Sequence, residues 1–165
     1  QKSRFAENII YTKYISISGK KLVIYWWAFK KDTNDTRESA SIYVVDALLE
    51  EKAEIIIYDP KVPEGKIFDD INYLKSRSPS ENKELLSVTS DPLEITKEAH
   101  AIAILTEWDE FKTLDWSKIY DNMLKPAFVF DGRRLLDTQQ MKDIGFHFYK
   151  IGESWKSSLQ EQPVS

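Results

Sequence analysis

Five short apolar runs punctuate the chain, at residues 22–27, 54–58, 101–105, 127–130 and 146–149. Each is rich in β-branched and aromatic side chains and nearly continuous in hydrophobicity rather than alternating. That is the pattern of strands covered on both faces of a parallel sheet. Between the first two runs, residues 39–51 place Ile42, Val45, Ala47, Leu48 and Leu49 mainly towards one side of a helix, and residues 138–144 form a shorter helical candidate. Strand and helix alternate, which predicts a Rossmann-like, doubly wound α/β domain with a mainly parallel sheet and helices on both faces.

Local signals refine this outline. Asp91-Pro92 opens a short helix running to Glu98, because Asp caps helices well and Pro suits the first turn. Asp115 caps another that runs to Asn122. Residues 75–83, rich in Ser with Pro79 and Asn82, read as a surface loop within the domain. Residues 4–14 place Phe5, Ile9, Ile10 and Tyr14 on one helical face, so residues 1–18 are expected to form a lead-in helix. Residues 19–152 then form the folded domain. Residues 153–165, rich in Ser, Gln and Glu, form a flexible tail.

Composition narrows the function classes. The 165 residues suit a single domain, and 42% hydrophobic with 30% charged residues describes a globular chain. The net charge of −4 and the absence of a Lys/Arg block give no attraction for nucleic acid or an anionic membrane. The chain has no cysteine, which removes disulfides, thiolate metal sites and a cysteine nucleophile from this polypeptide. No stretch approaches the ~20 apolar residues of a membrane span. A cytoplasmic location is therefore expected, and the start at Gln1 without an initiator Met suggests a fragment or a processed product. His100 and His147 stand apart from carboxylates at metal-ligand spacing, and no metal site is expected.

Candidate chemistry concentrates after the first strand. In an open α/β sheet ligands bind beyond the C-terminal strand ends, and the first strand-to-helix loop usually meets phosphate. Residues 28–36 form that loop and contain no Gly, so the dinucleotide fingerprint is missing. Lys30, Lys31 and Arg37 instead supply three cations within eight residues, beside Thr33, Asn34 and Thr36. Two readings fit: an anion site built from side chains and helix N-terminal amides, or a solvated loop whose Asp35 and Glu38 only cap the next helix.

The segment Phe29-Lys30-Lys31-Asp32-Thr33-Asn34-Asp35-Thr36-Arg37-Glu38-Ser39 is followed by Tyr58-Asp59-Pro60-Lys61-Val62, Leu105-Thr106-Glu107-Trp108-Asp109 and Lys125-Pro126-Ala127-Phe128-Val129-Phe130-Asp131-Gly132-Arg133-Arg134. These four motifs, in this order, resemble the C-terminal UDP-binding domain of eukaryotic UDP-glucose 6-dehydrogenases. The resemblance runs from about Arg4 to Gly152 and covers roughly the final third of the family's chain. It implies an oxidoreductase that converts UDP-glucose to UDP-glucuronate with two NAD, through a thioester on cysteine. It also implies that NAD is held mainly by an N-terminal domain not matched here, and that the full enzyme is a homo-oligomer.

Carried over by motif, Phe29 and Lys30 would contact the UDP-sugar, Arg133 would be a further substrate contact aimed by a turn at Gly132, and Arg37 would reach NAD. Asp59 stands where a Rossmann acid would meet a ribose hydroxyl, or simply opens an Asp-Pro turn. Glu107, Trp108 and Asp109 fall on the ligand edge, with Trp108 read as packing. No catalytic residue is expected on this chain. One departure is clear: the family keeps glycine just after the first strand, and this chain has Trp26. Its indole would either crowd the nucleotide or pack elsewhere. The alternative to an enzyme domain is a non-catalytic nucleotide-sugar-binding or subunit-interaction module.

Overall fold

In a computed structural model of the chain, residues 17–27, 40–107, 109–133 and 135–150 are described. The expected lead-in helix and tail, the loop after the first strand, Trp108 and Arg134 lie outside these residues. Six strands form one sheet: β1 (Lys21–Tyr25), β2 (Glu54–Tyr58), β3 (Leu86–Thr89), β4 (Ala101–Ile104), β5 (Phe128–Asp131) and β6 (His147–Lys150). Their order is β3-β2-β1-β4-β5-β6, and every neighbouring pair is parallel. The doubly wound α/β expectation therefore holds.

The near-continuous apolar runs follow from burial on both faces. Leu22, Val23, Ile24 and Tyr25 of β1 and all four residues of β4 are fully buried. Exposed positions fall on the edge strands β3 and β6, such as Ser87 and His147, and at Glu54, the first residue of β2. The α-helices among the described residues are α1 (Ala40–Glu50), α2 (Glu64–Tyr73), α3 (Pro79–Leu85), α4 (Trp116–Asn122) and α5 (Thr138–Ile144). Winding runs outward from β1 in one direction and from β4 in the other. Right-handed crossovers therefore place α1 and α2 on one face and α4 and α5 on the opposite face. The contacts agree, α1 packing on α2 and α4 on α5.

Each helix has a local cause. In α1 the buried residues Ser41, Val44, Val45, Leu48 and Leu49 fall at helical spacing on one stripe. Asp115 caps α4 by accepting from Lys118 N–H at 3.1 Å, and Asp137 caps α5 by accepting from Gln140 N–H at 2.9 Å. The segment expected to be a loop at 75–83 contains α3. Ser78 and Glu81 close a reciprocal capping box there, with Pro79 in the first turn. Asp91 accepts from Leu93 and Glu94 N–H, each at 3.0 Å, but the turn that follows is a short 3-10 helix, Glu94–Thr96, rather than an α-helix to Glu98. Both α2 and β3 have no counterpart in the sequence reading.

Arg77 holds this corner together. Its side chain is only 4% exposed and pairs with Asp46 and Glu50 of α1. It also donates to Asn82 Oδ1 at 2.9 Å, while Asn82 donates to Asn72 Oδ1 of α2 at 2.8 Å. A single guanidinium fork thus ties α1 to α3, a task that its planar donor geometry suits, and Asn82 extends the tie to α2.

At the opposite end of the domain, Gly145 closes α5 with φ at 128°, a conformation that L side chains rarely adopt. A Cβ there would also lie 2.6 Å from Tyr120 Cζ of α4. Gly145→Ala is expected to cost at least about 2 kcal/mol, from backbone strain and a displaced Tyr120 ring. Urea unfolding of the two chains measures it directly.

Candidate functional site at the C-terminal edge of the sheet

The strand order reverses between β1 and β4, and the crevice outside their C-terminal ends is where doubly wound sheets hold ligands. The segments after β1, β2, β4 and β5 all emerge on this edge, and backbone bonds zip it across the sheet. Leu105 N–H donates to Tyr25 O at 3.3 Å, and Gly132 N–H donates to Ile104 O at 2.9 Å.

Two buried carboxylates fix the turns that follow. Asp59, at the end of β2, accepts from Lys61 N–H at 2.8 Å and Val62 N–H at 3.0 Å through Oδ1, and from Trp27 N–H at 2.9 Å through Oδ2. Asp131, at the end of β5, accepts from Arg133 N–H at 2.9 Å through Oδ1, and from Leu135 and Leu136 N–H at 2.8 and 2.9 Å through Oδ2. Each carboxylate thus shapes a turn that begins at its own i+2 amide. Asp59 further joins the end of β1 to the end of β2. Of its two readings, the turn-forming one is visible in the geometry, with three backbone amides already held by the carboxylate.

Of the sequence-derived site residues, Arg133 is described: it is partly exposed on the first turn beyond β5, one strand from the crevice. Asp131 anchors its backbone, so the arginine is aimed by a buried carboxylate as well as by the neighbouring Gly132. Phe29, Lys30 and Arg37 lie outside the described residues. Glu107 is exposed just beyond β4, and Asp109 opens a 3-10 turn, Asp109–Thr113. Asp131 carried a readable signal, because Asp-Gly after an apolar strand marks such a turn as Asp59-Pro60 does.

Trp26 adopts φ of 108° and is fully buried. Positive φ is the conformation for which glycine is favoured, which explains the glycine expected there and marks the tryptophan as strained. The indole packs at 5.3 Å from the Tyr25 ring and 6.1 Å from the Tyr58 ring, so of its two options it takes the core. Trp27 turns the other way and donates from Nε1 to Asp70 of α2 at 2.9 Å.

Tyr25 and Tyr58 are register partners at the ends of β1 and β2, with ring centroids 6.0 Å apart. The Tyr25 hydroxyl donates to Pro92 O, and the Tyr58 hydroxyl donates to the Glu110 carboxylate at 2.8 and 3.0 Å. Burial holds both phenols far above the usual value, reinforced by the Glu110 charge and, at Tyr58, by the hydrogen bond to it. His100 lies at the opposite end of β4, where its Nδ1 accepts from Lys21 N–H at 3.0 Å. Burial, and then the Lys20 charge, depresses its pKa, and it has no place in this edge.

The described residues do not form a dinucleotide site of the glycine-rich kind. The residue after β1 is an indole, and the acid after β2 is engaged with backbone amides. The fold and its switch point define a doubly wound, Rossmann-like α/β domain. A sequence profile described as the UDP-glucose/GDP-mannose dehydrogenase family, UDP binding domain, matches residues 23–138, and the chain belongs to that family. It is 47% identical to UDP-glucose 6-dehydrogenase 3 of Oryza sativa subsp. japonica over 174 residues, covering 99% of this chain and 36% of the relative. It is 45% identical to the Drosophila melanogaster UDP-glucose 6-dehydrogenase, covering 94% of this chain and 33% of the relative. The chain thus spans about a third of the length of the curated relatives it matches.

Among solved structures, the NDP-N-acetyl-D-galactosaminuronic acid dehydrogenase of Methanosarcina mazei superposes with a TM-score of 0.71 at 20% identity, covering 92% of this chain and 29% of that one. The UDP-D-ManNAc dehydrogenase of Pyrococcus horikoshii gives 0.65 at 23% identity, covering 90% and 30%. At these identities the likeness is one of fold.

Asp131→Ala strips a shared acceptor from three amides and is expected to lower stability by on the order of 3 kcal/mol. Asp131→Asn, which keeps one carbonyl oxygen, is expected to cost less. Chemical denaturation of both variants gives the comparison, and equal losses would remove the acceptor argument.

Proposed function

We propose that this chain binds the UDP portion of a UDP-sugar at the C-terminal edge of its sheet, as the UDP-binding domain of a UDP-glucose 6-dehydrogenase. The observation that carries the reading is the profile match over residues 23–138, which spans the strand ends on both sides of the switch point. In this reading Lys30 compensates diphosphate charge, Phe29 offers an apolar surface, and the Arg133 guanidinium donates to substrate oxygens from its anchored turn. Residues 19–152 act as the domain unit, with 1–18 leading into it and 153–165 trailing.

NAD, which supplies hydride acceptance in dehydrogenases of this kind, would be held mainly by another part of the enzyme, with Arg37 reaching it across the cleft. The cysteine nucleophile implied by the resemblance must also come from elsewhere, because this chain has none. Its own residues therefore bind and orient, and the 165-residue chain by itself is expected to form no NADH. A homo-oligomer in the cytoplasm completes the proposal. No helix among the described residues is long and apolar enough to cross a membrane.

A thermal-shift comparison tests this reading, because a ligand that binds only the folded state raises the midpoint. UDP and UDP-glucose are expected to raise it and NAD to leave it unchanged, whereas a larger shift with NAD would overturn the assignment. Arg133→Ala is expected to weaken UDP-glucose binding about tenfold through a lost charge-assisted contact.

Trp26→Gly separates crowding from packing. The buried position of the indole predicts unchanged UDP affinity by calorimetry, with a net loss of stability because the cavity outweighs the relieved strain. Affinity that rises tenfold in the variant would show that the indole obstructs the ligand.

A further inference from the structure

Tyr58 and Glu110 come from opposite sides of β1. Tyr58 ends β2, Glu110 lies in the 3-10 turn after β4, and the sheet order at this place is β2-β1-β4. Their hydrogen bond therefore crosses the C-terminal end of β1, with both carboxylate oxygens within 3.0 Å of the one hydroxyl. Beneath it lie the Tyr25 and Trp26 rings, the latter 6.1 Å from Tyr58. The ring contacts locate Tyr58 and leave its hydroxyl as the polar link to the turn at 109–113.

We propose that Tyr58 and Glu110 form a latch that fixes the segment after β4 over the end of β1, and that they are positioning residues for the nucleotide bound in the switch-point crevice. The inference rests on the nucleotide-binding reading of this edge. A carboxylate facing the crevice would repel a diphosphate, so Glu110 acts through the turn it anchors rather than by touching the ligand. The latch is suited to stay shut, because burial and the Glu110 charge keep the Tyr58 hydroxyl protonated, and thus donating, well into alkaline solution. A hydrogen bond to a charged acceptor is among the stronger single contacts, enough to hold a short turn that is otherwise partly exposed.

The test uses the 165-residue chain with Tyr58→Phe, Glu110→Ala, Glu110→Gln and the Tyr58→Phe/Glu110→Ala double variant. Amide hydrogen exchange is followed at 109–113 and, as a reference, along β4 and β5, and UDP affinity is followed by calorimetry. Tyr58→Phe is expected to speed exchange at 109–113 about tenfold, with β4 and β5 unaffected, and to weaken UDP binding several-fold. Glu110→Gln, which can still accept from the phenol, is expected to restore most of both effects seen in Glu110→Ala. The double variant should be no worse than either single one, as for two halves of one contact. Unchanged exchange at 109–113, or undiminished UDP binding by Tyr58→Phe beside a parent that binds, overturns the latch. A parent that fails to bind UDP overturns the nucleotide reading, and the positioning role with it.

Discussion

An all-parallel sheet buried on both faces sends every crossover out from the same edge, and that edge has to turn the chain without leaving backbone amides unpaired. Here the requirement is met by two buried carboxylates. Asp59 and Asp131 stand at the ends of β2 and β5, and each collects amides from its own turn. Asp59 also takes the Trp27 amide and so binds the end of β1 to that of β2. A buried acceptor shared by three donors is expensive to remove and fixes backbone direction closely. The placing of the Trp27 amide at the end of β1 and of the Arg133 amide beyond β5 follows from these two side chains.

The same edge explains how Trp26 is accommodated. Its φ of 108° would suit glycine, yet the tryptophan is retained in that conformation with its indole inside the core, against Tyr25 and Tyr58. Strain at one residue is offset by aromatic burial around it. Trp27 points to the other face, so the two adjacent indoles pack the two sides of the sheet where β1 ends. The aromatic cluster continues through Tyr25 to Trp116 of α4, with ring centroids 6.4 Å apart.

Much of this was legible in the amino-acid sequence where burial leaves a strong pattern. The runs that became β1, β2, β4 and β5 were near-continuous in apolar residues because both sides of the sheet are covered there, the run of the edge strand β6 rests on Phe146 and Phe148, and α1 showed its stripe because one side of it is buried. The helix α4 was announced by Asp115 at its cap and α5 by the spacing of residues 138–144, whereas the Asp137 cap emerged only with the fold. The parts that escaped notice are those with little buried surface. In α2 only Ile67 and Ile71 are fully buried, and β3 is a four-residue edge strand. In α3 the residues that start a helix, Ser78, Pro79 and Glu81, have the composition of a loop, and its buried contact is the polar Asn82 rather than an apolar side chain. The role of Asp59 needed the fold, because an Asp-Pro turn and a ribose-binding acid look alike until the partners of the carboxylate are known. The Tyr58 to Glu110 bond links residues 52 positions apart and leaves no local pattern.

The proposed uridine-nucleotide site lies at the C-terminal edge of this sheet, over the β1 and β4 ends. Backbone amide NMR of the 165-residue chain, titrated with UDP, tests it most directly. Shift changes are expected to concentrate at Trp27, Glu107, Gly132 and Arg133, with Lys20, Glu54 and Ala99 at the opposite edge unmoved. Changes centred on the opposite edge, or none at saturating UDP, would contradict it.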